Sequence, residues 1–161
     1  MDRLWAPWRI EYILSEKEEG CLFCRVISED RDDENLILYR GEKAYIILNK
    51  YPYNNGHLMI VPYRHVPNIE DLDDDELLEI CRLTILSIKL LKHVMKPEGF
   101  NIGANIGKAA GAGIEEHFHL HIVPRWVGDT NFMPIIGDTK VVVEAIRETY
   151  KKLKKGLKEV I

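Results

Sequence analysis

Gly103-Ala-Asn-Ile-Gly-Lys-Ala-Ala-Gly-Ala-Gly-Ile-Glu-Glu-His117-Phe-His119-Leu-His121-Ile-Val-Pro-Arg-Trp126 is the stretch on which the reading of this chain turns. Three of the six histidines stand here at alternate positions, with Phe118, Leu120 and Ile122 between and after them. A two-residue period is the repeat of a β-strand. The pattern predicts a strand over 115–125 in which the three imidazoles share one face, roughly 6.5–7 Å apart by strand rise. Phe118, Leu120 and Ile122 would then face a core. Upstream, Gly107, Gly111 and Gly113 form a loop whose bare backbone N–H groups suit an anion. An imidazole row beside such a loop points to phosphate chemistry, because like groups crowded together are not selected for stability. Metal binding is the other use of imidazole. A straight strand holds three rings too far apart for all to reach one ion at ~2.1 Å, so one or two could serve.

Composition narrows the class. A chain of 161 residues, 46% hydrophobic and 30% charged, supports one domain with a proper core. The net charge of −4 argues against a nucleic-acid surface built on phosphate neutralisation. No apolar run approaches a membrane span, and Met-Asp-Arg-Leu-Trp lacks the form of a signal peptide, so the expectation is a cytoplasmic protein. Three cysteines, an odd number, argue against a disulfide framework.

Along the chain, Trp5 and Trp8 lie in an arm over 1–19, followed by Cys21-Leu-Phe-Cys24. In a reducing compartment Cys-x-x-Cys suggests zinc or redox work. Two cysteines make half a tetrahedral site, and histidine is the usual source of the rest; a pair of packed thiols is the alternative. Strands are predicted over 36–39, 43–48, 57–62 and 100–105, with Asn54-Asn55-Gly56 suited to positive φ. Asp73 with Glu76 forms a capping box that opens a helix, and Leu72 could staple onto Leu77. Leu77, Leu78, Cys81, Ile85, Ile88, Leu91 and Met95 read as its buried stripe, with Cys81 in the core and His93 as a cationic end. Val143, Ile146, Tyr150, Leu153, Leu157 and Val160 mark an amphipathic C-terminal helix from 140 onward, its lysines solvated.

These residues carry a resemblance. His117 to Val123 reads His-φ-His-φ-His-φ-φ, the signature of the histidine-triad (HIT) nucleotide hydrolases and transferases. The segment 48–62, ending Gly56-His57-Leu-Met-Ile-Val-Pro62, is similar to the family's nucleotide-cradling hairpin, and Asn105 sits where relatives have an amide before the glycine loop. Leu4-Trp-Ala-Pro-Trp-Arg9 and the run from Pro124 to Lys140 look closer still to the bacterial diadenosine-tetraphosphate phosphorylase/hydrolase-like branch. The resemblance implies an α+β fold: a five-stranded, mostly antiparallel sheet, one long helix and a C-terminal helix. It implies a single HIT domain over 1–161, with a core of about 20–126, the arm 1–19 and an extension 127–161, in a homodimer whose sheets join across the two-fold. It implies cleavage of dinucleoside polyphosphates through a nucleotidyl–histidine intermediate, with water or inorganic phosphate as acceptor and no organic cofactor.

The implied roles are His119 as nucleophile; His117 and His121 as its catalytic neighbours; and Asn49, His57, Asn105, Lys108, Gly111 and Gly113 on nucleotide and phosphate. Arg125 is a further candidate for polyphosphate. In zinc-containing relatives the Cys21–Cys24 pair is completed by positions matching His65 and His117. One departure stands out: Ile114 occupies the place where many relatives carry a hydroxyl that assists the leaving group, and a water or Glu115 would have to substitute. Alternatives are phosphoramidate hydrolysis of nucleotide–amine conjugates, a nucleotide-binding adaptor with vestigial turnover, and a zinc-stabilised structural domain.

Overall fold

The computed structural model describes residues 20–129 and 144–161; the arm 1–19, with Trp5 and Trp8, and residues 130–143 of the extension lie outside them. Strands β1 (Ile37–Arg40), β2 (Ala44–Leu48), β3 (Leu58–Pro62), β4 (Gly99–Gly103) and β5 (Leu120–Arg125) form one antiparallel sheet in the order β1-β2-β3-β5-β4. Helix α3 (Asp74–Val94) crosses from β3 to β4, and α4 (Ile146–Val160) closes the described chain. The α+β class with a five-stranded sheet and two long helices is therefore the observed one. Two short helices, α1 (Leu22–Ser28) and α2 (Asp32–Asn35), were not anticipated from the sequence.

Both sheet faces are covered, and strand alternation sorts the side chains between them. Leu36, Leu38, Ile46, Leu48, Leu58, Ile60, Phe118 and Ile122 pack with Leu83, Leu90 and Leu91 of α3 and Leu153 and Leu157 of α4. On the opposite face Ile37, Tyr45, Ile47, Met59 and Val61 pack with Phe23 and Val26 of α1. Since His121 lies opposite Met59 in the β3–β5 register, the histidines belong to the α1 side.

The capping box of α3 forms as its sequence implies. The Glu76 N–H donates to Asp73 Oδ1 at 2.8 Å, and the Asp73 N–H donates to Glu76 Oε1 at 3.0 Å. Glu76 is 2% exposed and is held ionised by Arg64, which also donates to the Asp71 carbonyl. This double anchor fixes the segment next to His65. The buried stripe of α3 is rotated from the one expected: Glu76, Ile80, Leu83, Ser87, Leu90 and Leu91 face inward. Cys81 is exposed, as are Leu78 at 49% and Ile85 at 55%. The polar members of the inward face are satisfied locally, Glu76 by the cap and Ser87 by the Leu83 carbonyl at 2.8 Å. That frees a second apolar stripe to point outward.

Two glycines set how closely the elements approach. Gly56 has φ +80°, and a Cβ there would sit 2.6 Å from Met95 Sδ, so the loop before β3 rests on the end of α3. Gly156 lets α4 cross α3, since its Cβ would stand 2.3 Å from Val94 Cγ2. Gly156→Ala should therefore cost about 1–3 kcal/mol of stability by overpacking, read as a lower urea midpoint. Val94→Ala in the same chain should recover part of it; an unchanged midpoint in the single variant would contradict this close crossing.

Candidate active site and metal centre

The expected strand over 115–125 is shorter than predicted, beginning at Leu120, so His117 and His119 lie in the irregular segment that enters β5. The three rings do not form an evenly spaced row. His119 and His121 have centroids 4.9 Å apart, closer than strand rise allows, while His117 turns toward the cysteines. The alternation itself persists, for Phe118 and Ile122 enter the α3-side core and the histidines take the other side.

Protons can be assigned along two short relays. The His119 Nδ1 lies 2.9 Å from the His117 carbonyl, an acceptor only, so Nδ1 carries the hydrogen and Nε2 keeps its lone pair. His57 Nδ1 accepts the Tyr53 N–H at 3.1 Å, which puts the His57 proton on Nε2, 2.8 Å from His121 Nδ1. His121 is left with its own proton on Nε2. A free imidazole nitrogen on one ring thus neighbours an N–H donor on the next.

Exposure separates the supporting rings from the presenting ones. His57 and His117 are 0% and 1% exposed, against 7% and 9% for His119 and His121. Burial lowers the pKa of all four. His57 falls to about 3 and His121 to about 4, through desolvation first and the neighbouring imidazoles second. The cluster is neutral at pH 7, as a nitrogen nucleophile requires. Tyr53, 56% exposed, lies over the pair, stacked on His121 at 5.6 Å and tilted against His57 at 4.6 Å. Sequence reasoning passed it over because a loop tyrosine carries no signal of its own.

The remaining nucleotide candidates behave differently from one another. Asn49 reaches within 3.4 Å of His57 Nδ1, while its Oδ1 accepts the Tyr51 N–H at 2.9 Å. Asn105 is half-buried and Lys108 exposed; neither side chain makes a hydrogen bond among the described residues. The expectation for Gly111 needs correction: its N–H donates to the Lys108 carbonyl at 3.0 Å, closing a 3-10 turn over Lys108–Ala110, and is spent. Gly113 is exposed, as is Glu115. Ile114 packs against the α1-side core, which leaves no hydroxyl there. Arg125 is engaged by Asp129 at 2.7 Å and by Asn101 at 2.7 Å, so it is not a loose cation awaiting polyphosphate. His93 pairs with Glu159 far from the triad.

Cys21, Cys24, His65 and His117 converge, their donor atoms all within 4.8 Å of one another. His117 Nδ1 stands 3.3 Å from Cys21 Sγ, 3.5 Å from Cys24 Sγ and 3.3 Å from His65 Nδ1. Ligands about 2.0–2.3 Å from one tetrahedral ion would be separated from one another by roughly 3.3–3.8 Å, so the spacing fits zinc. The chemistry fits as well. His117 Nε2 donates to the Pro62 carbonyl at 2.8 Å, so Nδ1 offers a lone pair, and a backbone carbonyl is the usual partner of a ligating imidazole. With no cation, burial and then the neighbouring Cys21 push the Cys24 thiol up to about 11; a metal would reverse that. The Phe118 N–H to Val66 carbonyl bond, 2.7 Å, holds the His65 segment against the triad.

The HIT domain family model matches residues 30–127, most of the chain. The chain belongs to the HIT family. An AP-4-A phosphorylase of Mycobacterium tuberculosis is 43% identical over 162 aligned residues, covering 95% of this chain and 83% of its own. A histidine triad nucleotide-binding protein of Sulfolobus tokodaii superposes with TM-score 0.69 at 35% identity, over 87% of this chain and 91% of that one. A zinc-bound histidine triad family protein of Mycobacterium smegmatis gives 0.70 at 25% identity, over 87% and 94%. The HIT frame accounts for the crowding of five histidines, which stability alone would not select.

Depressed histidine pKa values link to stability. Unfolded histidine protonates near 6.5, whereas His57 and His121 remain neutral to about 3 and 4 when folded. The unfolded state therefore binds more protons below 6.5, and stability falls as pH is lowered. Between pH 6.5 and 5, where carboxylates stay ionised, the melting temperature should drop steadily. A flat profile across that window would contradict the neutral cluster.

Proposed function

We propose that the protein is an enzyme cleaving dinucleoside polyphosphates of the diadenosine tetraphosphate type at the α-phosphate. The observation that carries this reading is the proton assignment at His119: Nδ1–H held by a carbonyl, Nε2 free and neutral. In the first step His119 Nε2 attacks the α-phosphorus. A P–N bond forms, the bond from phosphorus to the bridging oxygen breaks, and the polyphosphate leaves with the electron pair. His121, as an Nε2–H donor backed by His57, steadies the charge on the phosphoryl oxygens. In the second step an oxygen of inorganic phosphate or of water attacks phosphorus and the P–N bond breaks, returning neutral His119. Asn49, with His57 beneath it, orients the nucleoside; Asn105, Lys108 and Gly113 flank the polyphosphate. His117 acts through its carbonyl and its place in the metal cluster.

With tetraphosphate as substrate the leaving group is ATP, and the acceptor decides the second product: ADP from phosphate, AMP from water. The 43% identity to a phosphorylase favours ADP. Incubation with and without phosphate, followed by nucleotide chromatography, should give ATP with ADP when phosphate is present. His119→Ala should lower turnover by at least roughly a thousand-fold, and wild-type turnover in that variant would refute the assignment.

Zinc held by Cys21, Cys24, His65 and His117 is part of the same reading; it would supply a cross-link between α1 and the triad and no chemistry on substrate. Metal analysis of purified protein should give about one zinc per chain, and none would overturn it. A homodimer is supported by the outward stripe Leu78, Cys81 and Ile85 on α3 and by the exposed Ile102 on β4, whose outer edge is unpaired among the described residues. Ile85→Glu should halve the mass seen by light scattering. The reducing state that free cysteines need fits a cytoplasmic setting.

A further inference from the structure

Between the two metal-site cysteines lies a residue that neither the metal nor the substrate accounts for. Phe23, on the first turn of α1, is 1% exposed, and its ring meets two imidazoles. The centroid of His117 is 5.5 Å away at 66°, and that of His119 is 4.9 Å away at 50°. Edge-on and tilted contacts at these distances hold a ring's orientation beyond the area they bury. The turn that carries Phe23 is itself fixed: the Tyr45 O–H donates to the Phe23 carbonyl at 2.9 Å, and the flanking Cys21 and Cys24 converge on His117. His119 is thus held at two places by one assembly, at Nδ1 by the His117 carbonyl and on its ring by Phe23.

We propose that the Cys21–Cys24 turn is a positioning element for the nucleophile, with Phe23 packing the His119 ring into the orientation that keeps Nδ1–H on the His117 carbonyl. The metal reading above supplies the pin that holds this turn against the triad, and the inference rests on that reading for its coupling to metal. Phe23 is a positioning residue: it acts through His119 and supplies no atom to the reaction. A misoriented ring would lose the carbonyl bond, and the imidazole would then sample the tautomer in which Nε2 carries the hydrogen and cannot attack. Such a defect lowers the rate of the chemical step and leaves ground-state binding alone.

The test uses full-length Phe23→Leu beside the parent chain, each scored for metal content, melting temperature, kcat and KM, and for the His119 ring nitrogens by 15N NMR. The expected result is unchanged metal content, kcat lower by about ten-fold with KM within two-fold, and a His119 signal shifted from one Nδ1–H tautomer toward a mixture. Parent-like kcat and NMR would overturn the proposal, and so would a rise in KM alone, which would make Phe23 a ligand contact. Should Phe23→Leu fail to fold, chelation of the parent chain reads the same coupling: the His119 resonances should move, and unmoved resonances in metal-stripped protein overturn it. A parent chain that carries no metal refutes the metal reading, while the Phe23→Leu comparison still decides this one.

Discussion

A single hydrogen bond, from His119 Nδ1–H to the carbonyl of His117, is what the rest of the site depends on. A carbonyl only accepts, so it chooses the tautomer, and the tautomer decides which nitrogen can attack. Along a regular strand residues two apart stand roughly 6.5–7 Å apart. The irregular entry into β5 at residues 117–119 brings the second ring back toward the first carbonyl. That irregularity is stabilised from outside: the Phe118 N–H bonds to Val66, His117 bonds to Pro62, and Phe118 itself is buried in the α3-side core.

The site is otherwise built to keep imidazole uncharged. Burial lowers four histidine pKa values, and the hydrogen-bond partners of these rings are carbonyls, a backbone N–H, an amide, the cysteine thiols and other imidazoles. Among the described residues no carboxylate hydrogen-bonds to any of the four, and the carbonyl bonds to His117 and His119 do not outweigh desolvation. Two arginines of the surrounding segments are paired, Arg125 with Asp129 and Arg64 with Glu76. A phosphoryl group entering this place would meet N–H dipoles fixed in advance, the arrangement that costs least reorganisation in the transition state.

Patterns that need one element and its own neighbours were legible in the sequence. The Asp73–Glu76 box, the two-residue alternation of the triad and the Cys-x-x-Cys turn each became the local structure their spacing implies. What escaped depends on surfaces that meet from far apart in the chain. Helix α3 carries two apolar stripes, and only the sheet decides that Leu83 and Leu90 turn inward while Leu78, Cys81 and Ile85 stay out. The strand was read five residues too early because His117 to His119 keep the alternation while lying outside the ladder. Gly111 looked available because its N–H is spent on a 3-10 turn that no side-chain pattern announces. Phe23 carries no signal in the sequence, because its contact with His119 joins residues nearly a hundred positions apart.

The most direct measurement is chemical quenching of the protein during turnover of substrate labelled in the α-phosphate, followed by peptide mapping under alkaline conditions that preserve P–N bonds. One labelled nucleotide per active chain should be found, attached to the peptide containing His119 and lost on adding the acceptor. Label on another residue, or turnover with no adduct at any quench time, would contradict it.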